Sequence, residues 1–156
     1  MYVLEQLHLV PGIYPVADFM AGTVNSDIVK CESAVGMRFT IIKGVSTATT
    51  GTSTITIQAC DTVAPGTATA VAFQYRISTT PDTWGAWTQA LAAGFVTTAG
   101  SNQAYEIFVP AANLAALGFA YARLHAVEVV DDPVVGCVNI EVVQPRYQPV
   151  PATLLT

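Results

Sequence analysis

Hydrophobic and polar positions alternate with period two along most of the chain. In residues 36–43, Met37, Phe39 and Ile41 share one side, with Arg38, Thr40 and Lys43 assigned to the other. Residues 53–60 oppose Ile55, Ile57 and Ala59 to Thr54, Thr56 and Gln58. Three further stretches read the same way: Val71, Phe73, Tyr75 and Ile77 against Gln74 and Arg76, Tyr105, Ile107 and Val109 against Glu106 and Phe108, and Val138, Ile140 and Val142 against Asn139 and Glu141. This period marks antiparallel strands with one buried face. Turn signals separate them at Thr50-Gly51, Pro65-Gly66, Pro81-Asp82, Gly100-Ser101-Asn102 and Asp131-Asp132-Pro133. The pattern predicts an all-β fold, an antiparallel β-sandwich of about eight strands.

One segment departs from it. Pro110 to Leu117 reads as a short helical connector, with Pro110 in its first turn and Gly118 as its stop. Residues 120–129 are a less regular strand, in which Leu124 and Ala126 are the core side because Arg123 is hard to bury. That leaves Tyr121, Arg123 and His125 in a row on the opposite face, a candidate contact surface. The termini break the alternation. Residues 1–27 read as an N-terminal extended arm or edge segment, 28–144 as the sandwich, and 145–156 as a Pro-rich extended arm. On that arm Arg146, Tyr147, Leu154 and Leu155 complete the candidate partner contacts.

Composition narrows the function. Apolar residues make up 52% of the 156 positions and charged residues 11%, against roughly 25% charged in an ordinary domain. Ala, Val and Thr number 23, 20 and 19, so disorder, coiled coils and charged helical bundles are excluded. The net charge of −5 and six isolated basic residues argue against nucleic acid and against a basic membrane-surface helix. The longest uncharged stretch, 83–105, is interrupted by Gln, Gly, Ser and Asn, so no membrane span is expected. A secretory leader is not expected either, since Glu5, Pro11 and Pro15 sit where an apolar helix would be.

Candidate chemistry is sparse. Cys31, Cys60 and Cys137 lack the close pairing of a metal site and read as buried or half-buried thiols in strands. His8 and His125 have no second ligand nearby, and no G-x-S-x-G, G-x-x-x-x-G-K or G-x-G-x-x-G motif occurs. Asp131-Asp132-Pro133 reads as an acidic turn rather than a calcium loop. Trp84 and Trp87 are expected to place one indole on the core and one at an edge, with a carbohydrate-stacking platform as the alternative. Neither a catalytic constellation nor a cofactor site is expected.

A resemblance adds to this reading. Thr54–Ala68, the strand Phe73-Gln-Tyr-Arg, the Trp84…Trp87 segment, Gly100–Ile107, Asn113-Leu, Gly118–Leu124 and finally Val142–Tyr147 occur in an order similar to small structural proteins of tailed bacteriophages, across about residues 50–147. Some of those relatives are capsid cement or decoration proteins with a jelly-roll fold. The resemblance implies a non-enzymatic virion protein without a cofactor, made in the host bacterial cytoplasm and seated on the capsid exterior. Its partners would be the major capsid protein and further copies of itself, as a dimer or trimer. A tail or head–tail joining component, or a carbohydrate-binding sandwich, are the alternatives.

Overall fold

The alternating segments pair into two antiparallel sheets facing each other. The computed structural model describes residues 7–31 and 33–143. One sheet runs in the order β1 (Leu7–Val16), β12 (Val134–Val143), β4 (Gly36–Ser46), β10 (Gln103–Pro110), β7 (Phe73–Ser78) and β8 (Thr88–Ala90). The other runs β2 (Thr23–Asn25), β11 (Tyr121–Val130), β5 (Thr52–Cys60) and β6 (Ala68–Val71). Two short strands extend this second sheet: β3 (Val29–Lys30) pairs with β11, and β9 (Phe95–Val96) pairs with β5.

Eight of these strands carry the topology. Taken as β1, β2, β4, β5, β6, β10, β11 and β12, the first pairs with the eighth, the second with the seventh, the third with the sixth and the fourth with the fifth. Successive rungs of this long hairpin alternate between the sheets. That winding is a jelly roll. The expected strand count is therefore right for the jelly-roll frame, and β3, β7, β8 and β9 bring the described total to twelve.

The core lies where the pattern placed it. Met37, Phe39 and Ile41 of β4 face Ile55 and Ile57 of β5 and Leu124 of β11 in one buried cluster with Tyr105, Ile107, Val138 and Ile140. Burying each large side chain stabilises the fold by about 1.5–3 kcal/mol before conformational entropy is subtracted. The thiols of Cys31 and Cys60 are buried, Cys137 is half-buried, and all three are free.

The stretch 71–77, read as one strand, is two. The chain pairs with β5 as far as Val71, turns at Ala72, and from Phe73 pairs with β10 in the opposite sheet. Asn113 Nδ2 donates 2.8 Å to the Ala72 carbonyl, satisfying the backbone group that the crossing leaves without a ladder partner. Asn113 sits on α1 (Ala111–Ala115), which matches the predicted connector. Pro110 precedes the first helical turn rather than lying in it, with an extended φ of −62° and ψ of 137°. The helix stops as expected: Gly118 takes φ +76°, its N–H bonds Ala115 O, and Phe119 N–H bonds Leu114 O. These two bonds form a Schellman motif.

Within the first 27 residues, β1 is a ten-residue edge strand that contributes buried Val10 to the core. Its ladder with β12 slips in register between Pro11 and Ile13 and again between Ile13 and Val16. Phe19 and Met20, beyond β1, are buried. The segment 145–156 lies outside the described residues.

Candidate interaction surface

The outer face of the second sheet carries three of the seven candidate residues. Period two on β11 turns Ala122, Leu124 and Ala126 inward, where they are fully buried, and leaves Tyr121, Arg123 and His125 half-buried on the outside. Neighbouring strands hold each of them. Lys30, the cross-strand partner of Tyr121, brings its Nζ to 6.0 Å from the ring centroid. Arg123 Nε donates 2.8 Å to Gln58 Oε1 on β5. His125 Nδ1 lies 2.8 Å from Asn25 Oδ1 on β2, and Thr56 Oγ1 donates to the His125 carbonyl. The row is thus pre-ordered, with exposed Val127 and Val129 continuing along the strand. Arg146, Tyr147, Leu154 and Leu155 lie outside the described residues.

Two expectations follow from this geometry. Arg123→Ala removes one half-exposed hydrogen bond, so urea unfolding should show a loss of no more than about 1 kcal/mol. Burial, helped by the Arg123 charge, lowers the His125 pKa below its ordinary 6.5. The unfolded chain then binds this proton more readily than the folded one, so the stability His125 contributes is present above pH 6.5 and lost as pH falls through the folded value. Thermal melts of His125→Gln should show a smaller drop between pH 7.5 and 5 than the parent chain. An identical drop would remove His125 as the cause.

The outer face of the first sheet holds an arrangement that periodicity did not reveal. Register places Arg38 opposite Glu141, and Glu106 opposite Arg76. Arg38 pairs with Glu141 and reaches Glu106 at 3.5 Å, while Arg76 binds Glu106 through Nη2 and, at 2.6 Å, through Nε. The result is an unbroken row of alternating charges across β12, β4, β10 and β7. At its end, Arg76 Cζ lies 4.8 Å from the ring centroids of both Trp84 and Trp87. This corrects the expectation for the two tryptophans. Neither packs on the core: they are 36% and 45% exposed and rest on a guanidinium outside the sheet. The missed signal was cross-strand register, which sets Arg38 opposite Glu141 and Arg76 opposite Glu106 and leaves Arg38 diagonal to Glu106.

Lys43 also departs from its expected side. It faces inward in line with Met37, Phe39 and Ile41 and is 4% exposed. Its Nζ donates 2.9 Å to Gly51 O and 2.9 Å to Thr98 O, closing one end of the sandwich. Burial lowers its pKa, and the nearby Asp132 charge partly offsets this. The acidic turn has a structural task here. Asp132 accepts hydrogen bonds from the backbone N–H groups of Ala48, Thr50 and Gly51, and these bonds, Ala48 foremost, hold its carboxyl below the usual 3.8. The gap between Lys43, Asp132 and Tyr105 is about 10 Å³, too small for a substrate.

A larger hollow of about 370 Å³ lies beside α1, lined by Cys31, Ala34, Ala111, Leu114, Phe119 and neighbouring small residues, with no charged side chain among them. Burial pushes the Cys31 thiol up to about 12, so at neutral pH it is a protonated thiol and not a nucleophile. Among the described residues no three His, Cys, Asp or Glu side chains come together to hold a metal ion, and no helix is long and apolar enough to cross a membrane. What the described surface offers is stacking, hydrogen bonding and charge pairing on two broad sheet faces.

These features describe an all-β jelly-roll sandwich with pre-ordered outer faces. No family model and no curated protein matches the chain. Among solved structures, the crystal structure of the SPBc2 prophage-derived protein YomS is similar, at 16% identity and a TM-score of 0.48, over 88% of this chain and 93% of that one. A likeness of that degree carries nothing to the function of this chain.

Proposed function

We propose that the chain is a non-enzymatic structural protein of a tailed-phage virion, a decoration or cement protein bound to the outside of the head, where it bridges capsid subunits. The observation that carries this reading is the ordered resemblance across residues 50–147, and the jelly-roll winding is the fold that resemblance implies. The outer face of the second sheet supplies a contact surface of suitable chemistry. Tyr121 and Arg123 belong to the residue types that dominate binding energy at protein interfaces. Gln58, Thr56 and Thr54 on β5, opposite Arg123, His125 and Val127, add uncharged polar groups that tolerate close apposition. A modest contact of this kind, repeated over a shell and through copies of the chain associated with one another, adds up to a large stabilisation.

Cryo-EM of the source particle tests the reading. Density for the jelly roll on the capsid exterior supports it, and its presence only at the tail or the head–tail joint replaces it with the joining-component alternative. The contact face has its own test. The double variant Tyr121→Ala, Arg123→Ala, added to particles stripped of the chain, should lower occupancy by about tenfold or more while the circular dichroism stays unchanged. Full occupancy would move the contact to another face.

A further inference from the structure

The loop between β7 and β8 carries both tryptophans of the chain, and its chemistry is unlike that of the contact face above. From Thr79 to Gln89 every residue is exposed. Two indoles left in water cost hydrophobic free energy, and they keep their places through rigid supports. Gly85 N–H bonds the Ile77 carbonyl at 2.9 Å, fixing the loop between the tryptophans onto β7. Arg76 lies against both rings and is itself anchored by two contacts to Glu106, which is 9% exposed. Gln89 Nε2 is tied to the Phe73 and Ala90 carbonyls, which leaves its Oε1 as an acceptor. These contacts set both indoles against one anchored guanidinium, which narrows their motion before binding.

Charge and composition decide what the site would take. Glu106 already neutralises Arg76, so the loop offers an anionic ligand no net attraction. Gln74 and Gln89, paired across β7 and β8 on the side that carries Arg76, and Thr80 and Thr83 in the loop supply exposed amides and hydroxyls, beside Pro81, Asp82 and Ala86 of the same stretch. A neutral sugar ring matches both halves. Its C–H face stacks on an indole, and its hydroxyls exchange hydrogen bonds with amides and threonine hydroxyls. We propose that Trp84 and Trp87, held by Arg76, form a stacking site for a neutral oligosaccharide. This goes beyond the capsid role and does not depend on it.

The two tryptophans make the test direct, because all indole fluorescence and both indole Nε1–H signals come from this loop. The full-length chain is titrated with maltoheptaose, cellohexaose and chitopentaose while both signals are followed. The proposal expects at least one of these to shift both indole resonances saturably, with weak affinity in about the millimolar range typical of a few stacked rings. Trp87→Ala should weaken that binding by about tenfold or more, and Trp84→Phe, which keeps an aromatic face, should weaken it less. Unmoved resonances with all three sugars would overturn the proposal. So would loss of capsid occupancy in Trp87→Ala without any sugar response, which would make the pair a protein hot spot. A sugar response in a chain that cryo-EM fails to find on any capsid would leave this site standing while the proposed function fell.

Discussion

Gly94→Ala should lower the unfolding free energy by about 3–5 kcal/mol in urea titrations. Gly94 lies where the chain crosses from β8 in one sheet to β9 in the other. It takes φ +76°, and a Cβ there would stand 1.9 Å from the Ile55 carbonyl oxygen and 2.8 Å from Thr56 Cγ2. Both obstacles belong to β5, a central strand that cannot yield without breaking its ladder. Any retreat must come from β9, which would pull Phe95 out of its stack on Tyr75, where the ring centroids are 4.0 Å apart. Gly22 is the internal control. It has a similar φ of +65° but nothing within 4 Å of the same position. Gly22→Ala should therefore lose only the conformational term, about 1 kcal/mol. Equal losses in the two variants would show that the crossing at Gly94 is looser than described.

Tyr105→Phe should cost about 2–3 kcal/mol although it deletes a single oxygen. The ring is fully buried and would stay in place beside Phe95, so packing changes little. The hydroxyl, however, is a junction. It accepts from Thr98 N–H at 2.9 Å, shares a hydrogen with Thr98 Oγ1 at 3.0 Å, and donates to Gln103 Oε1 at 2.8 Å. Burial raises the phenol pKa, which keeps the proton on the oxygen and the donation to Gln103 intact. Phenylalanine would leave the Thr98 N–H and the amide oxygen of Gln103, a residue only 7% exposed, without this partner. A loss under 0.5 kcal/mol, on the order of ordinary surface changes, would mean that the surrounding groups find replacements.

The strands that were legible in the amino-acid order are those whose two faces meet different solvents. In β4, β5, β10 and β12 the inward residues are large and apolar, so period two states both the strand and its orientation. Lys43 shows where that logic was overruled. Its position two beyond Ile41 points inward, but a lysine is costly to bury, so its charge argued for the outer face. What makes burial tolerable is a pair of carbonyls, Gly51 and Thr98, that reach it from distant loops. Ala72 is a second case. Val71, Phe73 and Tyr75 keep the same parity on both sides of it, so a strand that changes sheets while still facing one core looks unbroken. On β1 the signal was weak because prolines and two register slips interrupt the alternation.

The candidate surface divides the same way. Tyr121, Arg123 and His125 were found because they share one strand, and parity alone puts them on one face. The charge row from Glu141 to Arg76, and the tryptophans at its end, draw on β12, β4, β10, β7 and the loop after it. No single-strand pattern contains them. They become visible only when the pairing between strands is known, which is a property of the whole winding.

The prolines of β1 bear on how such a molecule behaves in bulk. An edge strand of ten residues is the natural seed for endless stacking of one sheet onto the next, the route to fibres. Pro11 and Pro15 lack the N–H that a newcomer would have to accept, and the carbonyl of Gly12 between them is already taken by Asp27 N–H. The β1 border of the first sheet is thereby made mute. In a chain with so few charges to keep its copies apart, this border at least is closed to strand-on-strand stacking.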